Sequence, residues 1–539
     1  MGFKMKTRFF ITSIALLAIP IALFGQTFQW VKVGTRIDDS NGVYTEGGID
    51  VDASGNSYVT GYYYAQTTGS ERAYFDGIYL PGYYEGAFQS DIFFASYNSS
   101  GTIRWANRAG STSSFERGYD AAFYDGYIYY TGRFSQTYYQ GSTSTGVTSS
   151  GSDDMFLTKY SSSGTYQWVV KGGGTSSDYG CGIAISSSGD IYVVGYFNGT
   201  ATFGSYNVTS AGGGDVFLAK YNTSGVCQWV RSAGGTGYDY GLQVDVDPSG
   251  NVYICGHFQN TATFGSYNVT SSGSSDMFVA KYNSSGTCQW VRSGGSTEYD
   301  EARGVAVDGN NVYVSGYFGN ANFTASSQTL TNIGGSDVFM LKYNTSGTLQ
   351  WARKGGGTSG DMGYRCSIDG AGNGYVIGSF SGTATFTDTS ITSAGDDDIF
   401  VTCYDSDGDV QYVKYAGGTT QGWGKGIKIG SDGYAYTTGT IWGVSVTFYF
   451  DTHTLVAQRN GAWTSRLSPW EPPYIDIGLR IYDGTSNVAI ACEPGTPTSR
   501  LRIAEDGTVY GIVLVDPSDP SASRIRIQTP DGIKALREY

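Results

Sequence analysis

The chain has 539 residues, a formal net charge of −14 at neutral pH and a sequence pI near 4.6. It is rich in glycine (80) and tyrosine (45), while charged residues make up only 15%, against about 25% in an average protein. No basic cluster is present to neutralise phosphates, which argues against nucleic acid as a partner, and the length leaves ample room for a hydrophobic core.

Residues 1–25 have the pattern of a secretory signal peptide. Lys4, Lys6 and Arg8 precede the apolar run 9–24, and a small residue stands before Gln26. The alternative is an uncleaved signal anchor, but the run is shorter than the roughly 20 residues that span a bilayer. We therefore expect cleavage, no membrane span in the mature chain, and a secreted or outer-cell-surface location.

A 61-residue repeat organises the chain from about 27 to 464. The copies 175–235 and 236–296 share the segment ATFGSYNVTS. An Asp–apolar–Phe step recurs, and an aromatic residue follows each step 14 residues later. The steps begin at Asp91, Asp154, Asp215, Asp276, Asp337 and Asp398, and the aromatic residues are Trp105, Trp168, Trp229, Trp290, Trp351 and Tyr412. A fixed period of this size indicates a solenoid, a propeller or an array.

Within one copy, apolar residues alternate with polar ones between Gly/Asn/Ser turns, which predicts four antiparallel strands. Four-stranded units in radial repetition are the blades of a β-propeller. The first hairpin of the repeat occurs seven times, and 454–460 aligns as a degraded third strand. The segment 27–33 is an orphan fourth strand. We therefore predict an all-β fold: a seven-bladed propeller at 26–464, closed by the N-terminal strand.

The runs D-x-F-x-x-K-Y-N-x-S-G at 215–225, 276–286 and 337–347 are each followed by a Q-W strand. Together with the V-D-x-x-G-N-x-Y-V-x-G-x-F hairpins, they resemble the bacterial β-propeller repeat family (SBBP-type repeats). The resemblance covers about 27–464. It implies a propeller in a secreted or surface-exposed bacterial protein, and it implies no particular activity.

The recurring Asp and Trp residues are interpreted as architecture, because an active site does not recur six times. We expect the Asp side chain to accept backbone N–H groups where the third strand begins. The segments 245–251 and 405–409 resemble calcium loops faintly. Equivalent positions in other copies are plain turns, so no metal and no cofactor are expected.

Residues 67–90 lengthen one loop of the first blade and are rich in aromatic residues. Together with the preceding tyrosines they form a candidate ligand-binding sector, because loops carry function and exposed aromatic rings stack on sugars or bury in partners. The candidates are Tyr62, Tyr63, Tyr64, Tyr74, Phe75, Tyr79, Tyr83 and Tyr84. The alternative is that these rings pack between blades.

No catalytic residue can be assigned. The two histidines, His257 and His453, lie far apart in sequence, and His257 occupies a strand position that is tyrosine in other copies. A glycosidase-type carboxylate pair remains open. The acidic residues that break the repeat pattern are Asp50, Asp52, Glu71, Asp76, Glu85, Glu298 and Glu301. The seven cysteines are unevenly spaced and are expected to be buried apolar residues rather than a disulfide framework.

The composition changes near 465. A Pro-rich linker is predicted at 465–476, and three L/I-R-I strands with Asp-Gly turns predict a small β domain at 477–539. This tail has the place and size of a C-terminal sorting domain, but its motifs differ from the sorting signature, so attachment or oligomerisation is equally open.

The sequence favours a binding or adhesion protein for glycan or protein ligands at the extracellular surface. The alternatives are a carbohydrate hydrolase or lyase on the same scaffold, and a structural surface or fibre component. Fold alone does not choose between them.

Overall fold

The computed structural model describes residues 27–36, 42–65, 72–81, 89–111, 115–443, 446–450, 453–457 and 460–469, and six short strands beyond them. These residues fall into two compact units, one at Thr27–Pro469 and one that includes Trp470–Tyr539. All regular structure in this part of the chain is β-strand, paired antiparallel. It contains no helix that could cross a lipid bilayer.

The strands of the first half of the larger unit are β1 (Phe28–Arg36), β2 (Val43–Tyr44), β3 (Ile49–Val51), β4 (Ser57–Ala65), β5 (Arg72–Phe75), β6 (Ile78–Pro81), β7 (Gln89–Tyr97), β8 (Ile103–Gly110), β9 (Arg117–Tyr124), β10 (Tyr127–Phe134), β11 (Thr137–Gln140), β12 (Thr143–Thr148), β13 (Asp154–Ser161), β14 (Tyr166–Gly174), β15 (Tyr179–Ile185), β16 (Ile191–Phe203), β17 (Tyr206–Tyr221), β18 (Cys227–Gly235), β19 (Tyr240–Val246) and β20 (Val252–Phe258).

The remaining strands of this unit are β21 (Thr261–Phe264), β22 (Tyr267–Thr270), β23 (Asp276–Tyr282), β24 (Cys288–Gly295), β25 (Asp300–Val307), β26 (Asn311–Phe318), β27 (Phe323–Ala325), β28 (Gln328–Leu330), β29 (Asp337–Asn344), β30 (Leu349–Gly356), β31 (Met362–Ile368), β32 (Gly374–Phe386), β33 (Thr389–Tyr404), β34 (Val410–Gly418), β35 (Gln421–Ile429), β36 (Ala435–Trp442), β37 (Val446–Phe450), β38 (His453–Ala457) and β39 (Gly461–Leu467).

One repeat builds a four-stranded sheet in the order β19–β20–β23–β24. The second strand, β20, is buried along its whole length, because its two faces pack against different neighbouring sheets. Val244, Val252 and Ile254 pack toward the preceding repeat, whereas Tyr253 and Cys255 pack toward the following one. A sheet that is apolar on both faces needs neighbours on both sides, which is why the repeat occurs in series.

The same strand order recurs along the chain. It is seen in β9–β10–β13–β14, β15–β16–β17–β18, β25–β26–β29–β30, β31–β32–β33–β34 and, with a split first strand, in β2/β3–β4–β7–β8. The last unit is β35–β36–β39–β1, so the N-terminal strand supplies the fourth strand beside the C-terminal end of this region. β1 pairs with β39 from Phe28↔Leu467 to Gly34↔Ala462.

The alignment of 454–460 with a third strand is wrong. Residues 453–457 form β38, which pairs with β37 in a small hairpin, and the third strand of the last unit is β39. In β39, Gly461 and Trp463 stand where other copies have the Asp and Phe of the D-x-F step. The Trp463 ring lies against Gly439, as Phe278 lies against Gly256 in another repeat.

The segment between the second and third strands is a hairpin that reaches the preceding unit. In the repeat 236–296 it is β21–β22, and β21 pairs with β18 through Gly234↔Thr263 and Gly235↔Ala262. Equivalent pairings join β1 to β5, β8 to β11, β14 to β16, β24 to β27, β30 to β32 and β34 to β37. Backbone hydrogen bonds therefore link each unit to the one before it.

Whereas the hairpin of each unit reaches the preceding unit, the recurring Trp residue bonds to the next one. Trp290 is buried, and its indole N–H donates to the carbonyl of Thr345 in the next repeat at 3.1 Å. Its ring faces Gly347, which has φ +78°. The same bond to the next repeat is made by Trp30, Trp105, Trp229 and Trp351.

The recurring Asp residues accept a backbone N–H from the residue four positions earlier. These bonds, of 2.7–3.1 Å, are made by Asp154, Asp215, Asp276, Asp337 and Asp398. A second set of buried carboxylates does the same at the start of the first strand: Asp178, Asp239, Asp300 and Asp361. Their side chains therefore satisfy N–H groups that the sheet leaves unpaired.

The cysteines at 181, 227, 255, 288, 366 and 403 are free, and all except Cys181 are buried. Cys492 lies outside the described residues. In the C-terminal unit, β40 (Arg480–Tyr482) pairs with β41 (Asn487–Ala489). The strands β42 (Arg500–Glu505), β43 (Thr508–Val513), β44 (Arg526–Thr529) and β45 (Gly532–Ala535) form a four-stranded sheet in sequence order.

Candidate functional site

A β-bulge interrupts the first strand at matching positions in six units, and in the first unit the strand is split there into β2 and β3. In β25, Ala302 faces Gly316 and Gly304 faces Ser315, so Arg303 has no partner in the ladder. In β35, the unpaired residue is Lys425. A bulge redirects the extra side chain away from the alternating pattern of the strand, and bulges are frequent at binding and active sites.

The redirected side chains converge on one cavity of about 330 Å³, which we call the funnel. The bulge positions, and the matching residue between β2 and β3, are Glu46, Tyr119, Cys181, Leu242, Arg303, Tyr364 and Lys425, and all of them line the funnel. They include acidic, basic, aromatic and aliphatic residues. The backbone position is therefore the same in each unit, but the side chain that it presents to the funnel differs.

One wall of the funnel is a run of stacked aromatic rings from neighbouring units. Tyr196 and Tyr240 stack with 4.0 Å between their ring centres and 25° between their planes. Tyr179 lies 4.7 Å from Tyr196, and His257 meets Tyr240 edge-on at 4.9 Å. These rings are partly exposed, apart from the buried His257, and they form a rigid aromatic surface of a kind that binds flat apolar faces.

A charged cluster around Glu301 faces this wall. The Glu301 carboxylate accepts hydrogen bonds from Tyr299 (2.8 Å) and Tyr317 (3.1 Å) and pairs with the Arg303 guanidinium at 2.8 Å. Burial raises the pKa of Glu301, but the charge of Arg303 and the hydrogen bonds from Tyr299 and Tyr317 outweigh it, so the pKa lies below the ordinary value. Burial lowers the pKa of His257. At neutral pH we expect an ionised glutamate beside a neutral histidine.

The other carboxylate that lines the funnel, Glu46, is also paired with an arginine. Its Oε1 lies 2.9 Å from Nη1 of Arg117, whose guanidinium stacks 4.4 Å above the ring of Tyr62. Arg365 extends inward from the extended bulge of β31 and pairs with Asp120 at 3.2 Å. It lines both the funnel and a second cavity below it.

This second cavity, of about 350 Å³, is lined by residues from the first strands of the units. Its carboxylates are committed to the backbone of neighbouring units. Asp50 accepts the N–H of Phe123 at 2.7 Å and pairs with Lys428 at 3.4 Å. Asp120 accepts the N–H of Ile183 at 3.0 Å, and the carboxylate at 245 accepts that of Val307 at 2.8 Å. These groups therefore act as links between units.

The candidate aromatic residues of the first unit have mixed positions. Tyr63 and Phe75 are core residues with 1% and 2% of their surface exposed, and Phe75 lies 4.9 Å from Phe93. Tyr62 is buried beneath Arg117. Burial assigns these side chains to packing, which was the alternative interpretation of the aromatic sector.

Of the remaining candidates, Tyr64 and Tyr74 are partly exposed and Tyr79 is 47% exposed. Tyr74 and Tyr79 contact each other in the β5–β6 hairpin at 5.0 Å. Tyr83 and Tyr84 lie outside the described residues. A binding role for the exposed rings stays a prediction, and none of the six described candidates lines the funnel.

Of the acidic residues that break the repeat and that the structure describes, only Glu301 lies in the funnel. Asp52 accepts hydrogen bonds from Ser54, Asn56 and Tyr58, and Asp76 pairs with Lys32 at 3.0 Å. Glu71 and Glu85 lie outside the described residues.

The two calcium-like segments are ordinary turns in the described structure. Asp247 and Asp405 each accept two backbone N–H groups of their own turns at 2.9–3.0 Å. Within the described ranges there is no group of three or more His, Cys, Asp or Glu residues that could hold a metal ion.

The funnel lining could have been found from the repeat itself. From Cys181 to Lys425 the bulge residues stand 61 positions apart, each preceded by Gly or Ala, and no two neighbours are alike. A position that varies freely after a constant small residue marks a place where the framework does not determine the side chain. The general tendency of loops to carry function more often than strands points instead to the long loop 67–90.

No family model matches the chain. An uncharacterized WD repeat-containing protein, L264, of Acanthamoeba polyphaga mimivirus is 27% identical over 263 residues, which are 39% of this chain and 19% of that protein. The regulatory protein FlaEY of Caulobacter vibrioides is 27% identical over 273 residues, 47% of this chain and 28% of that protein. The chain therefore spans less than a third of either relative.

Among solved structures, the Phage phi92 endosialidase gives a TM-score of 0.29 at 11% identity, covering 95% of this chain and 89% of that one. The similarity to a WD repeat protein agrees with the repeated antiparallel units described above. It supports a repeat fold of the propeller type and assigns no activity.

Proposed function

We propose that this chain is a binding protein whose ligand site is the funnel at one end of a seven-bladed β-propeller. The repeated order of four strands supports the blades, and the pairing of β1 with β39 supports closure of the ring by the N-terminal strand. The first strands of all units then surround the central channel, which places the bulge residues around its mouth.

The observation that carries the proposal is the set of bulge residues. A structural position would repeat the same residue, as the inter-unit Trp and Asp positions do. The bulge position instead presents a different side chain from each unit to one cavity. A concave site with aromatic walls and a few polar groups is the usual form of a small-ligand site.

We propose a saccharide as the ligand. The stacked rings of Tyr196 and Tyr240 offer a flat face to the apolar side of a sugar ring. Glu301, Glu46 and the tyrosine hydroxyls supply hydrogen-bond partners around it. The cavity is near the lower end of the range of about 300–1,000 Å³ for ligand pockets, so it suits a terminal sugar better than a length of polymer.

Binding is favoured over hydrolysis by the state of the carboxylates. A glycosidase needs one carboxyl group with a raised pKa as acid and a second carboxylate across the scissile bond. In the funnel, the pKa of Glu301 is lowered, and both Glu301 and Glu46 are held by arginines. Glu301 is therefore not prepared to donate a proton at neutral pH.

The test is a glycan array with the full chain, followed by calorimetric titration of the best ligand against Tyr240→Ala. We expect about tenfold weaker binding by the variant, because one stacking surface is lost. Tyr267→Ala is the matched control, since Tyr267 is also partly exposed but lies on the outer hairpin β22. The proposal fails if no saccharide binds, or if Tyr267→Ala weakens binding and Tyr240→Ala does not.

The proposal also covers the cellular location of the protein and the role of its C-terminal region. We propose that residues 1–25 direct export and that 477–539 serve sorting, attachment or oligomerisation at the outer cell surface. Amino-terminal sequencing of exported protein should give Gln26 as the first residue. Retention of residue 1 in the exported protein would contradict cleavage.

A further inference from the structure

One charge in the funnel has no partner of opposite sign among the described residues. Glu46 pairs with Arg117, Glu301 with Arg303, and Asp120 with Arg365. The Lys425 ammonium makes no ion pair and no hydrogen bond within that part of the chain. Lys425 therefore adds a positive charge to the funnel that no carboxylate neutralises, although the chain as a whole carries a net charge of −14.

The surroundings of Lys425 hold the ammonium in place without using up its donors. The bulge between Gly424 and Gly426 directs the side chain into the funnel. The nitrogen lies 3.8 Å from the ring centre of Tyr364 and 5.2 Å from that of Trp423. A cation–π contact favours the charge but does not replace the hydrogen-bond acceptors that three N–H donors require.

The neighbouring charged groups do not pair with the Lys425 ammonium. The Asp397 carboxylate accepts the indole N–H of Trp423 at 3.0 Å. Arg303 lies over the same Tyr364 ring at 5.1 Å and is neutralised by Glu301. The ammonium is therefore half-buried, held next to two aromatic rings, and open toward the cavity.

From this arrangement we propose that the funnel recognises an anionic saccharide, whose acidic group binds Lys425 while its sugar ring lies on the aromatic wall. A carboxylate or a sulfate ester supplies the acceptor oxygens and the negative charge that the ammonium lacks. The inference rests on the proposed saccharide site and adds the charge of the ligand. Charge-assisted hydrogen bonds are the stronger class, so the acidic group is expected to dominate selectivity.

The test compares ligands that differ only in charge, using the full chain. Galacturonic acid oligosaccharides, their methyl esters and a sulfated galactan oligosaccharide are titrated by calorimetry. We expect one acidic ligand to bind about ten- to a hundredfold more tightly than the neutral ester. The preferred acid then identifies the group as carboxylate or sulfate. The advantage should shrink as salt is added, because salt screens the charge pair.

Lys425→Met keeps the aliphatic stem and removes the charge. We expect it to bind the acidic ligand no better than the ester. Lys354→Gln is the control, because this lysine lies on the outer strand β30 and donates to the carbonyl of Thr331. If Lys425→Met does not fold, the comparison of acid with ester on the unaltered chain decides the matter.

The two proposals fail in different ways. Equal binding of acid and ester by the unaltered chain overturns the anionic ligand and leaves the saccharide site standing. An acid preference that survives in Lys425→Met also overturns the role of this lysine. Absence of binding by every saccharide overturns the proposed function itself.

Discussion

The joints between units and the bulges of the first strands are built from the same 61-residue repeat, but they are under opposite constraints. At the joint, Trp and Gly recur, because the indole donates to a carbonyl of the next unit and its ring packs on a glycine there. The Asp recurs because it accepts a backbone N–H of its own unit where the third strand begins. At the bulge, the residue type changes from unit to unit, because the side chain leaves the sheet. Constancy within the repeat thus marks architecture, and variation at a fixed position marks the site.

This difference is tested most strongly by Trp290→Ala at one joint. The substitution removes a buried ring and leaves the Thr345 carbonyl without its indole donor. We expect a loss of about 3–5 kcal/mol in the free energy of unfolding, measured by urea denaturation followed by tyrosine and tryptophan fluorescence. A loss below about 1 kcal/mol would mean that the joints tolerate variation as the bulges do.

The glycine of the same joint gives a smaller effect with an internal control. Gly347 has φ +78°, and a Cβ there would lie 2.9 Å from the Trp290 ring. Gly126 has φ +77°, and a Cβ added there would meet no atom within 4 Å. Alanine at 126 should cost only the backbone strain of about 1–2 kcal/mol, whereas Gly347→Ala should cost clearly more. Equal melting temperatures for the two variants would show that the ring contact contributes nothing.

The neighbouring carboxylates of Asp215 and Asp239 make the stability of the fold depend on pH. Burial raises the pKa of Asp215 to about 6; the N–H of Ala211 works against this rise, and the charge of Asp239 adds to it. Because the folded state holds this proton more tightly than the unfolded chain, its contribution is full below about pH 4 and is lost as the pH rises through about 6.

Asp215→Asn keeps the acceptor for the Ala211 N–H and removes the charge. Relative to the unaltered chain, the variant should gain about 1–2 kcal/mol in unfolding free energy between pH 4 and pH 8. Urea midpoints at the two pH values measure this difference. A variant that is destabilised equally at both would show that the carboxylate is ionised throughout.

Much of the fold could be predicted because the repeat pattern is redundant. Alternation and turn residues identify the strands, and the orphan strand at 27–33 pairs with β39. The third strand of the last unit escapes prediction because Gly461 and Trp463 replace the Asp and Phe that serve as landmarks. Trp463 packs on Gly439 as the Phe of the D-x-F step packs on the matching glycine in other units, so the packing contact is the same although the residue type differs.

The site was harder to predict, since its residues are assembled from units that are far apart in sequence. Glu301 stands out because it breaks the repeat, and His257 has the pattern of a packed strand residue. Tyr299, Glu301 and Arg303 are close in sequence, but nothing in the sequence places them in one cavity with Glu46 and Tyr240 of other units. The register of the bulges makes that connection. A register is set by backbone pairing, which residue patterns specify only to within a position or two.

The smallest effect on the free energy of unfolding is expected at a bulge position, where the fold should tolerate a change of side chain. Leu242 is partly exposed and lines the funnel, whereas Val244, two residues along β19, is buried between units. Val244→Ala should cost about 2 kcal/mol in unfolding free energy, and Leu242→Ala less than about 1 kcal/mol although it removes a larger side chain. Urea midpoints of the two variants decide the matter. If Leu242→Ala is as costly as Val244→Ala, the bulge residues pack the fold and do not form a surface for a ligand.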